Sequence, residues 1–262
     1  MRQEQLLVAL KEACLQVHAR TNKIAGTARG NRQAGRGAGG DISRKIDLVA
    51  EKTAIEVLKK RGVNATIIGE ECGRIEGRDG YVIMDAIDGT TNSSRNIPFY
   101  CCSLAFATDF RLSAVTDAAI IDLANGDLYY ASKGKGAFCN GKRIRVKDHG
   151  SDIVVGMNVS KVGSDVIKRL SPAMARANHV RLFGAVALEL CYLARGMIDA
   201  SIDLRGKIRP TDIAAAYLIL KEAGGKIYSD GEELDKNLDV GTRFPFIAVA
   251  QDSLLNYLGI SE

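Results

Sequence analysis

The densest chemistry in this 262-residue chain is the run Tyr81-Val-Ile-Met-Asp85-Ala-Ile-Asp88-Gly89-Thr90-Thr91-Asn92. An apolar stretch of strand length delivers Asp85, and Asp88 follows three residues later beside a glycine that permits a tight turn. Two carboxylates so placed suit a hard cation such as Mg²⁺, which takes oxygen ligands in octahedral geometry, and the main-chain carbonyl of Ile87 offers a further one. Thr90, Thr91 and Asn92 read as the first residues of a helix, where free amides and the helix dipole favour a phosphate. The plain alternative is a strand, a turn and a capped helix whose aspartates merely satisfy backbone donors.

Three further acidic positions bear on that choice. Ile67-Ile68-Gly69-Glu70-Glu71 is a second apolar run ending in carboxylates, at the kind of strand end where α/β proteins place ligands. Glu70 is the stronger candidate, because a paired surface glutamate is the ordinary reading of Glu71. Asp212, in Arg209-Pro-Thr-Asp212, stands at a helix start and reads equally well as a cap or dipole partner. Asp47 is at helical spacing from Glu51, where a solvated helix face is the ordinary interpretation.

The elements that must position these residues follow from periodicity. Leu6, Leu7, Leu10, Cys14, Leu15 and Val17 predict an opening amphipathic helix over 3–20, and Ile46, Val49, Ile55 and Leu58 a second one over 46–60. Between them, Gly26 to Gly40 interleaves six glycines with Arg29, Arg32 and Arg36, a composition that predicts a mobile loop without regular structure and a lid over bound phosphate. Short apolar runs at 65–68, 81–84, 101–107, 114–121 and 127–130 predict strands, and Asn140-Gly141 a hairpin turn. Strands and helices then alternate: strands at 153–157, 180–183, 198–202 and 246–250, helices at 165–177, 186–195 and 212–223. The expected organisation is mixed α/β, with two subdomains, 1–150 and 151–262, meeting across a cleft.

Composition excludes more than it selects. With 46% hydrophobic and 26% charged residues, disorder is not expected. No apolar run reaches the roughly 18 to 20 residues of a membrane span, and charges in 1–11 argue against a signal peptide, so a cytoplasmic protein without membrane contact is expected. The six cysteines lack CxxC spacing, and reduced, packed thiols are the expectation. A net charge of +5 decides little alone.

Taken together, IIGEE at 67–71, DAIDGTTN at 85–92, KGKGAFCNG at 133–141 and the Asp212 helix followed by EAGG at 222–225 resemble the inositol monophosphatase superfamily, over nearly the whole chain. The segment RLFGAVALELCYLARGMIDASIDLRGKIRPTD is most similar to the archaeal branch, whose members are often both fructose-1,6-bisphosphatases and inositol-1-monophosphatases. Ala86 departs from the proline usual in the family. The resemblance implies a layered αβαβα sugar-phosphatase fold and Mg²⁺-dependent hydrolysis of small sugar or polyol phosphates, with Mn²⁺ as a substitute, in a homodimer. It implies one Mg²⁺ on Glu70, Asp85 and the Ile87 carbonyl, a second on Asp85, Asp88 and Asp212, and in some relatives a third near Glu70, with Asp41 and Glu71 as lesser candidates. Asp47 and Thr90 would orient and deprotonate the attacking water. Substrate contacts would come from Asp88, the amides of Gly89 and Thr90, Arg181, Val186 and Arg205, with Asp203 and Arg36 as further candidates.

Two rival readings rest on the glycine-rich stretch. Gly35-Arg-Gly37-Ala-Gly-Gly40 is a literal GxGxxG, but it follows a helix and a polar linker, whereas a dinucleotide fingerprint follows a strand. Arginines among glycines also suggest RNA binding, yet the stretch has no aromatic residues on which bases would stack, and no nucleic-acid partner is expected. Within the enzymes, a nucleotide-directed phosphatase acting on NADP or 3′-phosphoadenosine phosphates is the alternative, because substrate choice lies outside the metal motif.

Overall fold

In a computed structural model the chain is described at residues 3–38, 40, 42–239 and 241–260. Helices Gln3–Thr21 and Lys45–Lys60 pack on one another and cover one face of an eight-stranded sheet. Its strands run, in spatial order, Lys142–Ile144, Gly136–Cys139, Leu128–Ser132, Val115–Asp122, Cys101–Ala107, Tyr81–Asp88, Thr66–Gly69 and Gly73–Ile75. Helices Val186–Ala194 and Pro210–Glu222 lie on the other face. Beyond them comes a six-stranded sheet, ordered His179–Arg181, Val154–Met157, Ala200–Ile208, Phe244–Val249, Lys226–Ser229 and Glu232–Glu233, with helices Ser164–Arg176 and Ser253–Leu258 completing the stack. This is the expected αβαβα layering.

The middle layer explains a sequence feature that amphipathic patterning does not. Pro210 to Leu220 is buried at every position, so this helix has no polar face, as required of a helix held between two sheets. One continuous core therefore joins the sheets, from Ile83 and Ile120 to Leu220 and Phe246. A second core lies under the first two helices, around Leu10, Ile46, Leu58, Val82 and Leu104.

Two local features differ from the expectations. The stretch 26–40 is not an irregular loop: Thr27 caps a helical turn at Ala28–Asn31, accepting from the Gly30 amide at 3.2 Å, and Gln33–Arg36 pairs antiparallel with Ile42–Arg44. Gly37 and Gly40 lie in the short connection between the two strands of a small, mostly exposed hairpin, whose strand residues carry no β-branched or alternating apolar run that would mark them. Elsewhere, strand Tyr81–Asp88 runs past Met84 through both aspartates. The hairpin at Asn140-Gly141 forms as expected, with both residues at positive φ, 49° and 81°.

Candidate active site

Asp85 and Asp88 are three residues apart, and in a regular strand that spacing would send their side chains to opposite faces. Here Asp85 pairs with Ser103 and Asp88 with Cys101, three steps against two, so one extra residue is inserted. The resulting bulge returns both carboxylates to the same side. The Gly89 turn is therefore not what brings them together. Gly89 instead meets a local steric demand. Its φ is +93°, and a Cβ there would meet Ala185 Cβ at 3.0 Å and the Phe99 carbonyl at 3.1 Å, so only glycine fits.

Glu70 joins them through register. Strand Thr66–Gly69 is parallel to Tyr81–Asp88 with Gly69 opposite Met84, which sets Glu70, the next residue, beside Asp85. Asp47 and Asp212 each arrive three residues into a helix whose N-cap is an arginine, the Arg44 amide donating to Asp47 Oδ2 at 2.7 Å and the Arg209 amide to Asp212 Oδ2 at 2.8 Å. All five acids, with Glu71, Ile87, Gly89, Thr90, Val186 and Arg205, line one cavity of about 380 Å³. Asp47 and Thr90 also share a deeper recess with Glu51, Glu70, Glu71 and Asp85.

The electrostatics are those of negative charge held out of water. Burial, then repulsion from Glu70, Asp88 and Asp212, pushes the Asp85 carboxyl well above its usual range. Burial raises Asp88 to about 8 against the pull of the Ala187 amide, which donates to its Oδ2 at 2.7 Å. Asp47 rises to about 7, chiefly by burial, and its Oδ1 has no hydrogen-bond partner. Asp212 is also raised by burial, opposed by Arg209. The Arg209 guanidinium spans the cluster, with Nε on Asp212 Oδ1 at 2.9 Å and Nη1 on Glu70 Oε1 at 3.0 Å. Burial works against its charge, but Asp212 and Glu70 outweigh that and hold it cationic.

Among the described residues, no three His, Cys, Asp or Glu side chains stand as they lie in a geometry that closes on a metal ion. The donor set nevertheless fits a hard divalent cation: it is all oxygen, it carries excess negative charge, and it includes the unsatisfied Asp47 Oδ1. For Glu70 and Asp212 to ligate with their full complement of oxygens, Arg209 has to give way. The Ile87 carbonyl accepts from Thr90 Oγ1 at 3.2 Å, so the two residues are already in contact.

The remaining sequence candidates divide. Asp203, buried, grips Arg205 through Oδ1 to Nε at 2.9 Å and Oδ2 to Nη2 at 2.6 Å, so its reach into the cleft is through that arginine. Glu71 anchors the hairpin, accepting from Ser43 Oγ at its side chain and from the Ala38 amide at its carbonyl. Gly37 passes so close that a Cβ there would come within 2.9 Å of the Glu70 carbonyl. Arg181 does not line the cleft; it is exposed, its Nη1 folded onto the Val180 carbonyl at 3.0 Å. Arg36 is likewise exposed on the hairpin, donating to the Gly40 carbonyl. Asp41 lies outside the described residues. Sequence reasoning missed Arg209, Arg44 and Glu51, the last raised to about 7 chiefly by burial and accepting from the Glu71 amide at 3.2 Å. The repeated Arg-x-x-Asp spacing at two helix starts was the available signal for the arginines.

Comparison with known proteins finds relatives of the whole chain. The model of the inositol monophosphatase family matches residues 2–250. The fructose-1,6-bisphosphatase/inositol-1-monophosphatase of Methanothermobacter thermautotrophicus is 37% identical over 246 residues, covering 89% of this chain and 88% of that protein. A bifunctional NADP phosphatase/NAD kinase of Methanococcus maripaludis is 35% identical over 80% of this chain but 41% of its own length. A solved inositol monophosphatase-fructose 1,6-bisphosphatase superposes with a TM-score of 0.86 at 29% identity, covering 99% of this chain and all of that one.

Proposed function

Because the chain belongs to the inositol monophosphatase family and is a phosphoric monoester hydrolase, we propose that it hydrolyses small sugar and polyol phosphates, fructose 1,6-bisphosphate and inositol 1-phosphate first among them, with Mg²⁺. The observation that carries this reading is the bulge-aligned pair Asp85 and Asp88 facing Glu70, Asp47 and Asp212 in one cleft. Glu70, Asp85, Asp88, Asp212 and the Ile87 carbonyl would hold the cations. Bound there, divalent ions neutralise phosphoryl charge, lower the pKa of water and stabilise the departing alkoxide.

The residues of the chain supply the rest. Asp47 Oδ1 is an acceptor with no other partner, in the same recess as Thr90, and this pair orients the attacking water and takes its proton. The Gly89 and Thr90 amides hold phosphoryl oxygens. Arg205, locked by Asp203 in a two-point ion pair, presents a fixed cation to the distal part of the substrate, where a second phosphate or sugar hydroxyls would lie. Val186 forms the apolar wall beside it. In this reading residues 1–150 carry most of the ion ligands, and 151–262 contribute Asp212 and the substrate contacts.

A second reading, NADP as substrate, is favoured by the methanococcal relative. Phosphate release from fructose 1,6-bisphosphate, inositol 1-phosphate, NADP and 3′-phosphoadenosine phosphate, each with Mg²⁺, with Mn²⁺ and with chelator, tests both. Release from the sugar and polyol esters only with a divalent ion is expected. Preference for NADP would transfer the assignment, and metal-independent release would overturn the role of the carboxylates.

A further inference from the structure

A second cavity, of about 550 Å³, lies apart from the catalytic cleft and shares no lining residue with it. Its walls carry Lys142, Arg143, Arg145, Lys147 and Arg195. Ile144 is buried and Val146 packs on the core, while Arg143, Arg145 and Lys147 are exposed. Among the described residues none of Lys142, Arg143, Arg145 and Lys147 forms an ion pair with a carboxylate. The neighbouring acid, Asp127, is already taken, accepting from Asn140 Nδ2 and from Arg195 Nη1, each at 2.7 Å.

Two of these side chains lie against bare glycine backbone. A Cβ on Gly136 would meet Arg143 Nη2 at 2.5 Å, and one on Gly196 would meet Lys147 Cγ at 2.5 Å and Cδ at 2.8 Å. The stem of Lys147 thus lies along bare backbone at the end of helix Val186–Ala194, and Arg143 lies across the neighbouring strand. Cations that line one cavity without carboxylate partners repel one another, and a bound anion relieves that cost.

We infer that this groove binds a compact oligophosphate, a ligand of two or three linked phosphate groups either free or borne on a small molecule. The size suits a small ligand. Alternate positions along an extended chain are about 7 Å apart, more than one phosphate spans and about what two or three linked groups cover. Guanidinium forks match phosphate oxygens in pairs.

The test uses sodium tripolyphosphate and the full chain, by isothermal titration calorimetry in chelator-containing buffer. One saturable site per chain is expected, weakening steeply as salt is raised. Arg145→Glu/Lys147→Glu weakens binding about tenfold or more, whereas the charge-conserving Arg145→Lys/Lys147→Arg keeps it and serves as the folding control. Arg205→Ala, in the other cleft, leaves binding unchanged. Absent saturable binding, a charge-reversed variant that binds like the wild type, or loss of binding in Arg205→Ala each overturns the inference. So does a single-stranded RNA that binds the groove and is not displaced by tripolyphosphate. Phosphate release does not enter the measurement, so its outcome is separate from that of the catalytic reading.

Discussion

At Arg44–Asp47 and at Arg209–Asp212 the chain builds the same helix start, an arginine amide held by the carboxylate three residues on. The two sites diverge in where the guanidinium goes. Arg209 folds back over its own acid and bridges to Glu70. Arg44 turns away, Nη1 reaching the Asn31 carbonyl at 3.4 Å, and Asp47 Oδ1 is left without a partner. Similar local geometry thus yields two buried carboxylates, both raised by burial, of which Asp212 is held by a guanidinium and Asp47, raised to about 7, keeps one oxygen without a partner. An acid near neutrality with a spare acceptor is equipped to take a proton; an acid paired with a cation is equipped to hold a charge.

The largest expected effect tests the second site. Asp212→Asn should lower Mg²⁺-dependent phosphate release about 10³-fold or more, because the lost charge belongs to the ligand set of the second ion; steady-state kinetics near wild type would remove Asp212 from the site. Asp47→Asn should lower kcat by about 10²- to 10⁴-fold with little change in KM. The contrast lies in stability. Asn at 47 removes a buried unpaired charge and should leave the melting temperature of the metal-free protein unchanged or raised, whereas Asn at 212 should lower it.

Arg209→Met sharpens the same point from the other side. With its guanidinium gone, Glu70 and Asp212 lose their shared cation, and metal-free stability should fall by about 3 kcal/mol. Divalent binding, followed by calorimetry, should tighten, since the competing charge is removed. Unchanged affinity would mean that Arg209 stays beside the ligands when ions bind. A further test comes from pH. Asp88 is raised to about 8, and Glu51 and Glu189 to about 7, in each case chiefly by burial. These groups hold protons in the folded chain that the unfolded chain releases near pH 4. The contribution of these three groups to stability in chelator is therefore fully present below about pH 4 and is lost as pH rises through about 7 to 8. A melting temperature higher at pH 8.5 than at pH 5.5 would contradict the burial of these acids.

Much of the architecture was legible from local pattern. The periodicity of Leu6 to Val17 and of Ile46 to Leu58 marks two helices, observed at Gln3–Thr21 and Lys45–Lys60, because burial of one face demands apolar residues at helical spacing. The run of acids after apolar strands pointed to Glu70, Asp85 and Asp88 for the same reason: strand ends are where the chain must leave the core. The hairpin at Gln33–Arg36 and Ile42–Arg44 is local in its pairing but not legible in the sequence, because Gln-Ala-Gly-Arg and Ile-Ser-Arg show neither a β-branched or aromatic run nor apolar alternation.

Residue types and their order determined the succession of helices and strands and the acids available for chemistry, since each depends on patterns within one element. Only the tertiary structure decided which carboxylate is paired and which is free. That choice rests on a bulge that turns Asp88 to the side of Asp85, on a register that sets Glu70 beside them and on the direction taken by two arginine side chains. Each of these is a relation between elements distant in sequence, settled by packing and charge once the sheets and helices have met.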